Sequence, residues 1–228
     1  MKKLLFIMIV ALLSVSFATV ADGIRAIDSG DYVEAIKQFE AAIAQRDTNV
    51  KALYELAHAK TLLAGTLEGK EAETLLEEAT EAAKQAIAVD DSEPEAHFEL
   101  ARALGRLAQF RGVLQSLGIA AEMKSEIERT IELDPNHGGA YHALALWHQE
   151  VPWIAGGRAG QTAGLFEKSI ELEPDSITHL ADYAEILIKE GKTELAAQYL
   201  EKALSLDANT YGRQQDKEFA QSLWDSIQ

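Results

Sequence analysis

Seven side chains stand out for chemistry they could share. Lys51, Tyr54 and His58 follow one another at helical spacing, and Phe98, Arg102 and Arg106 do the same further along. His142 holds the matching place in a third segment. Such spacing lays residues along one face of a helix. Cations interleaved with aromatics suit an acidic peptide, a C-terminal carboxylate or an anionic headgroup, because a guanidinium can grip a carboxylate through two parallel hydrogen bonds. The cluster is conspicuous in a chain with 37 acidic against 21 basic residues and a net charge of −16. The plainer alternative is that Arg102 and Arg106 pair with nearby glutamates across repeats. Leu62, Leu146, Glu150, Ala181, Glu185 and Lys189 extend the same expected surface.

Other chemistries find less support. The six histidines (58, 97, 137, 142, 148 and 179) include no pair four residues apart, and Cys is absent. Metal-ligand spacing is therefore missing. His97, His148 and His179 read as seam or surface positions. Gly156-Gly157-Arg158-Ala159-Gly160 has the look of a phosphate loop, but no strand precedes it and no Gly-Lys-Ser/Thr follows. A turn between helices is the simpler reading. Asp134-Pro135-Asn136 and Glu173-Pro174-Asp175 are helix-ending turns, so their carboxylates form no acid–base pair. Nothing calls for a cofactor or an enzyme. Trp147, Trp153 and Phe166 are candidates to line an apolar cavity, with ordinary core as the alternative. The acidic balance argues against nucleic acid and anionic membrane surfaces as main partners.

The elements that would position these residues are helices. Good helix formers dominate, Pro numbers only 4, and no segment of appreciable length alternates with period two. One line recurs: TAGLFEKSIELEP at 162–174, MKSEIERTIELDP at 123–135, KTELAAQYLEKALSLD at 192–207 and GDYVEAIKQFEAAI at 30–43. Such recurrence means a helical unit copied and stacked. The clearest unit runs from Ile177 to Leu206. Leu180, Tyr183, Ala184 and Leu187 mark its first helix, Gly191 the turn, and Ala196, Leu200 and Ala203 its second. The same pattern falls on Leu53, Leu56 and Ala57, on Leu100, Ala101 and Leu104, and on Tyr141, Leu144, Ala145 and His148.

This alternation of large and small residues resembles the tetratricopeptide repeat (TPR), a helix–turn–helix unit of roughly 34 residues. The resemblance implies an all-α TPR solenoid of about five irregular repeats. A partial repeat is expected over 22–48 and a capping helix over 214–227, with Phe219, Leu223, Trp224 and Ile227 covering the open end. Extra residues at 65–75, 105–122 and 151–161 fall between the first and second helices of their units and should project from one edge. Residues 140–172, with YHALALWHQEVPWIAGG and LFEKSIELEP, resemble exported bacterial TPR proteins. They are most similar to the TRAP-transporter-associated TPR family and the regulator of microtubule dynamics family. That resemblance implies partner scaffolding, or binding of a lipid or other hydrophobic ligand in a cavity between irregular units.

Residues 1–21 differ from the rest. A basic Met1-Lys2-Lys3 leads into an apolar run from Leu4 to Leu13 and then small residues. This is the pattern of a secretory signal peptide, with cleavage expected after Ala18 or Ala21. With the small residues that follow, the apolar stretch reaches about 15 residues, short for a membrane span of roughly 20, so a membrane anchor requires an uncleaved signal. The expected location is the periplasm. The expected protein is a non-enzymatic adaptor holding a polypeptide or acidic peptide segment in a groove; the alternative is a carrier of a lipid or other apolar small molecule near Trp147, Trp153 and Phe166.

Overall fold

A computed structural model describes residues 19–228. Most of the expected signal segment, residues 1–18, lies outside the described residues. The chain then runs through consecutive helical hairpins. These pair α1 (Val20–Asp28) with α2 (Tyr32–Gln45), α3 (Val50–Ala64) with α4 (Gly69–Val89), and α5 (Pro94–Leu107) with α6 (Val113–Leu133). They continue with α7 (Gly138–Glu150) and α8 (Ala163–Leu172), then α9 (Ile177–Lys189) and α10 (Thr193–Ser205). Helix α11 (Tyr211–Ser226) ends the array, and no strand occurs among the described residues. No described helix is long and apolar enough to cross a membrane.

Local chemistry sets the helix starts. Asp31, Asn49 and Ser176 cap α2, α3 and α9 by accepting from backbone N–H groups in the first turn. Pro94 opens α5, where its missing N–H leaves no bond unmade. Thr19 and Asp22 form a capping box that opens α1. With 9 residues, α1 is shorter than the other first helices, which run to 13 or more.

Small residues govern the approach of neighbouring helices. Ala57 and Ala59 of α3, Ala83 and Ala86 of α4, and Ala101 of α5 are all fully buried. Removing bulk there lets the backbones close in, while Leu53, Leu56, Leu100 and Leu104 fill the seams. At the other end Leu180, Tyr183, Leu187 and Leu200 form a second core with Phe166.

The three extra segments are not alike. Two are largely absorbed as helix: α4 and α6 each reach 21 residues. Ala, Leu and Glu dominate those stretches and propagate a helix more readily than a loop. Only 151–161 remains a true insertion, built of two short 3-10 turns around Gly156. It holds Trp153 and Ile154 out in solvent, 83% and 79% exposed.

The ends of the array also meet. Tyr211 at the start of α11 sets its ring edge-on to Tyr32, centroids 6.3 Å apart. Gly30 sits under the same ring with φ of +81°, and a Cβ there would come within 2.7 Å of it. The cap therefore does more than cover the last hairpin. Leu223, Trp224 and Ile227 pack on α9 and α10 as expected, but Phe219 stays 38% exposed. A Gly30→Ala change should weaken this end-to-end contact by roughly 1–2 kcal/mol, since the left-handed backbone and the ring both oppose a side chain. The chain has no Cys, so labels at Lys37→Cys and Gln215→Cys report the gap cleanly. A distance distribution unchanged by Gly30→Ala would contradict this account.

Candidate functional site

The first helices of successive hairpins line one concave groove of about 980 Å³. Lys51, Tyr54, His58 and Leu62 come from α3; Phe98, Arg102 and Arg106 from α5; His142, Leu146 and Glu150 from α7. All seven residues singled out as groove candidates thus share one wall-lined space. The α9 contribution differs from expectation. Thr178, His179 and Asp182 face the groove, whereas Ala181 is fully buried in the core and Glu185 pairs with Lys189 at 3.0 Å.

Charge within the groove is not what the basic residues suggested. Lys51, Arg102 and Arg106 are joined by Glu55, Glu95, Glu99, Glu150, Glu173 and Asp182. Glu55, Glu95 and Glu99 lie on α3 and α5 beside the basic residues, and of these six carboxylates only Glu150 was expected on this surface. Arg102 is already engaged: its Nη1 donates to Glu99 Oε1 at 2.8 Å. The alternative of internal pairing therefore holds for Arg102 only in part, within its own helix and not across repeats. It does not hold for Arg106, which is exposed with no ion pair among the described residues. Lys51 is likewise exposed and unpaired there.

The groove histidines are also committed. His142 Nε2 lies 2.9 Å from Asp182 Oδ2, and its ring stacks on His179 with centroids 4.4 Å apart. Burial, then the neighbouring His142, push His179 down to about 3, so it stays neutral. His137 accepts from the Ala140 N–H at 3.0 Å and lies 3.3 Å from Glu95, within ion-pair reach though without a well-aligned hydrogen bond. Contact with His137 holds the Glu95 carboxyl below its usual range. Burial would lower His137, but Glu95, joined by Glu173 and Asp134, leaves it raised overall. His58 sits between Glu55 and Glu99 at 3.9 and 3.7 Å. Burial and then the Arg102 charge hold it well below its ordinary value, so it too is neutral. Among the described residues, no group of His, Asp or Glu is arranged to hold a metal ion.

Glu99 is the most constrained member. It is 3% exposed, and its Oε2 has no hydrogen-bond partner. Burial pushes its carboxyl up against the pull of Arg102. Burial first, and Glu99 second, push Glu55 up to about 7. A carboxyl raised in the folded state binds more protons there than in the unfolded chain, so stability falls as pH rises from the ordinary carboxylate range through about 7. Glu55→Gln should remove that slope. At pH above 7 the variant should be more stable by about 1 kcal/mol, allowing for the solvent screening that remains at a side chain 15% exposed. Parallel urea titrations of both proteins across this pH window check it; a parallel decline in the two would contradict it.

The apolar candidates do not come together. Trp147 is 4% exposed, borders the groove and donates from its indole nitrogen to the Ala120 carbonyl at 2.7 Å. Phe166 is fully buried and stacks on Tyr183 at 5.0 Å. Trp153 stands in solvent on the 151–161 loop. One is groove wall, one is core and one is surface, because the helix period that predicts burial cannot say which side of a helix meets a neighbour and which a void. Sequence spacing also passed over Glu55, Glu95, Glu99, His137 and His179. Helical period would have placed Glu55 beside Lys51 and His58, and Glu95 and Glu99 beside Phe98 and Arg102.

Residues 19–154 match the family model for regulator of microtubule dynamics protein 1-3, well over half of the chain. This chain belongs to that family. The match spans α1 to α7 and so includes the α3, α5 and α7 walls of the groove. A tetratricopeptide repeat model matches 180–210, over α9 and α10. Regulator of microtubule dynamics protein 1 from Bos taurus is 28% identical over 183 residues, covering 69% of this chain and 56% of that one. The Homo sapiens protein is 26% identical over 163 residues, covering 62% and 50%. The chain thus spans about half the length of the relatives it matches. Among solved structures, a thermophilic TPR protein of Thermus thermophilus superposes with a TM-score of 0.72 at 19% identity, over 91% of this chain and 96% of that one. A MamA structure from Desulfovibrio magneticus gives 0.51 at 14% identity, over 81% and 90%. These likenesses establish the TPR solenoid fold.

Proposed function

We propose that this chain is a non-enzymatic scaffold that seats a segment of a partner polypeptide in its concave groove. One observation carries the reading. Four successive hairpins open a single continuous groove whose rim offers Tyr54, Lys51 and Arg106, side chains that no internal ion pair consumes. A solenoid surface of this shape accepts an extended or helical segment along its length. The TPR fold of the family supports a protein or peptide as the occupant. The carrier alternative draws no comparable support, since its three aromatic candidates are dispersed.

The proposed location is the periplasm, reached through the signal at the amino terminus. Cleavage after Ala18 would leave Thr19 in place to cap α1, whereas cleavage after Ala21 would remove the capping box.

A photo-crosslinking residue placed in turn at Lys51, Tyr54 and Arg106 tests the reading in the native host. All three should trap the same polypeptide. Control positions on the exposed faces of α4 and α10, Glu81 and Glu201, should not. Equal trapping from groove and control positions, or no polypeptide at all, would remove it.

A further inference from the structure

We infer that the groove contains a seat for one cationic side chain, a lysine or arginine of the partner polypeptide, formed by Glu55 and Glu99 on the wall that Tyr54 shares. The inference rests on the groove being a polypeptide site and names what that site reads.

Three of the six groove carboxylates are already met, and Glu150 is exposed to solvent. Asp182 has His142 at 2.9 Å, Glu95 has His137 at 3.3 Å, and Glu173 accepts the Gly139 N–H at 3.0 Å. Glu55 and Glu99 are different. Arg102 occupies only one oxygen of Glu99, and the other, Oε2, has no hydrogen-bond partner although the residue is 3% exposed and lines the groove. Glu55 is only 15% exposed at its side chain and makes no hydrogen bond among the described residues. Its nearest basic nitrogen is His58 Nδ1 at 3.9 Å, and that ring is neutral. Two desolvated carboxylates therefore share one guanidinium.

An uncompensated buried carboxylate is costly, and a buried acceptor without a donor is costly again. One incoming ammonium or guanidinium removes both penalties at once. Lys51, on the same helix, does not fill the role: it stays exposed and forms no ion pair there. Tyr54 lines the same wall and offers an aromatic surface beside a bound cation. The groups around Glu55 are Lys51 and His58 on α3 and Glu95, Glu99 and Arg102 on α5. A cation seated there releases a proton from the Glu55 carboxyl, so capture strengthens as pH rises through about 7.

The test is a positional-scanning library of immobilised nonapeptides, each position fixed in turn to every amino acid, probed with the purified full chain. The expected result is a strong preference for Lys or Arg over norleucine and Glu at one position. Glu55→Gln and Glu99→Gln should each reduce that preference by roughly tenfold or more, with helicity by circular dichroism unchanged. Glu55→Gln keeps the test sound should Glu99→Gln disturb folding, because Glu55 makes no hydrogen bond to lose. Capture that prefers other residue types at every position overturns the seat and leaves the polypeptide groove standing. A Lys or Arg preference that survives both variants also overturns it. A library that captures nothing overturns both.

Discussion

Replacing Arg102 by alanine should destabilise the chain by about 3 kcal/mol at neutral pH, although the residue lies in a groove and is 31% exposed at its side chain. The reason lies in what remains. Glu99 is almost wholly buried, and Arg102 is the cation that holds its Oε1 at 2.8 Å. Without the guanidinium, both carboxylate oxygens lack partners in a low-dielectric setting. The penalty depends on pH. Burial already raises the Glu99 carboxyl, and loss of Arg102 raises it further. The deficit is therefore largest above the carboxyl's folded-state value and shrinks in acid, where the group protonates. Adding Glu99→Gln to Arg102→Ala should recover most of the loss, because the orphaned charge is then gone. Urea melts of the four proteins in a double-mutant cycle measure this coupling directly. Single losses that simply add would show that the pair does not hold the groove wall. The same reasoning rules out Arg102→Glu as a clean test of binding, since it would set a further carboxylate among Glu55, Glu95 and Glu99.

Phe166→Ala should be costlier, at about 3–5 kcal/mol. Phe166 is fully exposed to packing and not at all to water; its ring stacks on Tyr183 at 5.0 Å and lies edge-on to His142 at 6.0 Å. It ties α8 to the hairpin that follows and supports the His142 wall of the groove from behind. Truncation leaves a void that the close-packed helices cannot collapse to fill. A thermal melt combined with hydrogen exchange should show the loss concentrated in α7 to α10. A change smaller than about 1 kcal/mol would mean that the ring lines a space already empty.

Much of the architecture is written in residue spacing. Leu180, Tyr183, Ala184 and Leu187 are buried at the places their period demands, and so are Leu53, Leu56, Leu100 and Leu104. Amphipathic period is a local property, and a repeated unit can bury its apolar stripe only against another copy. The groove face was legible for the same reason: Lys51, Tyr54 and His58 lie on one side of α3 whatever that helix packs against. The length of α4 and α6 was less legible, because surplus Ala, Leu and Glu can extend a helix or form a loop with equal fidelity to the local pattern.

By itself, the order of residues determined that the chain is helical, that the helices pair and stack, and which side of α3, α5 and α7 looks inward; on α9 the expected side was not the one that faces the groove. Tertiary structure decided the rest. Whether Arg102 is free or bound, and whether Glu99 is wet or dry, depends on separations of a few ångströms between side chains that the helix period treats alike. Contact between Gly30 and Tyr211 depends on small rotations accumulated over every hairpin. Such sums have no signature in any one segment, because desolvation and closure are properties of the assembled array.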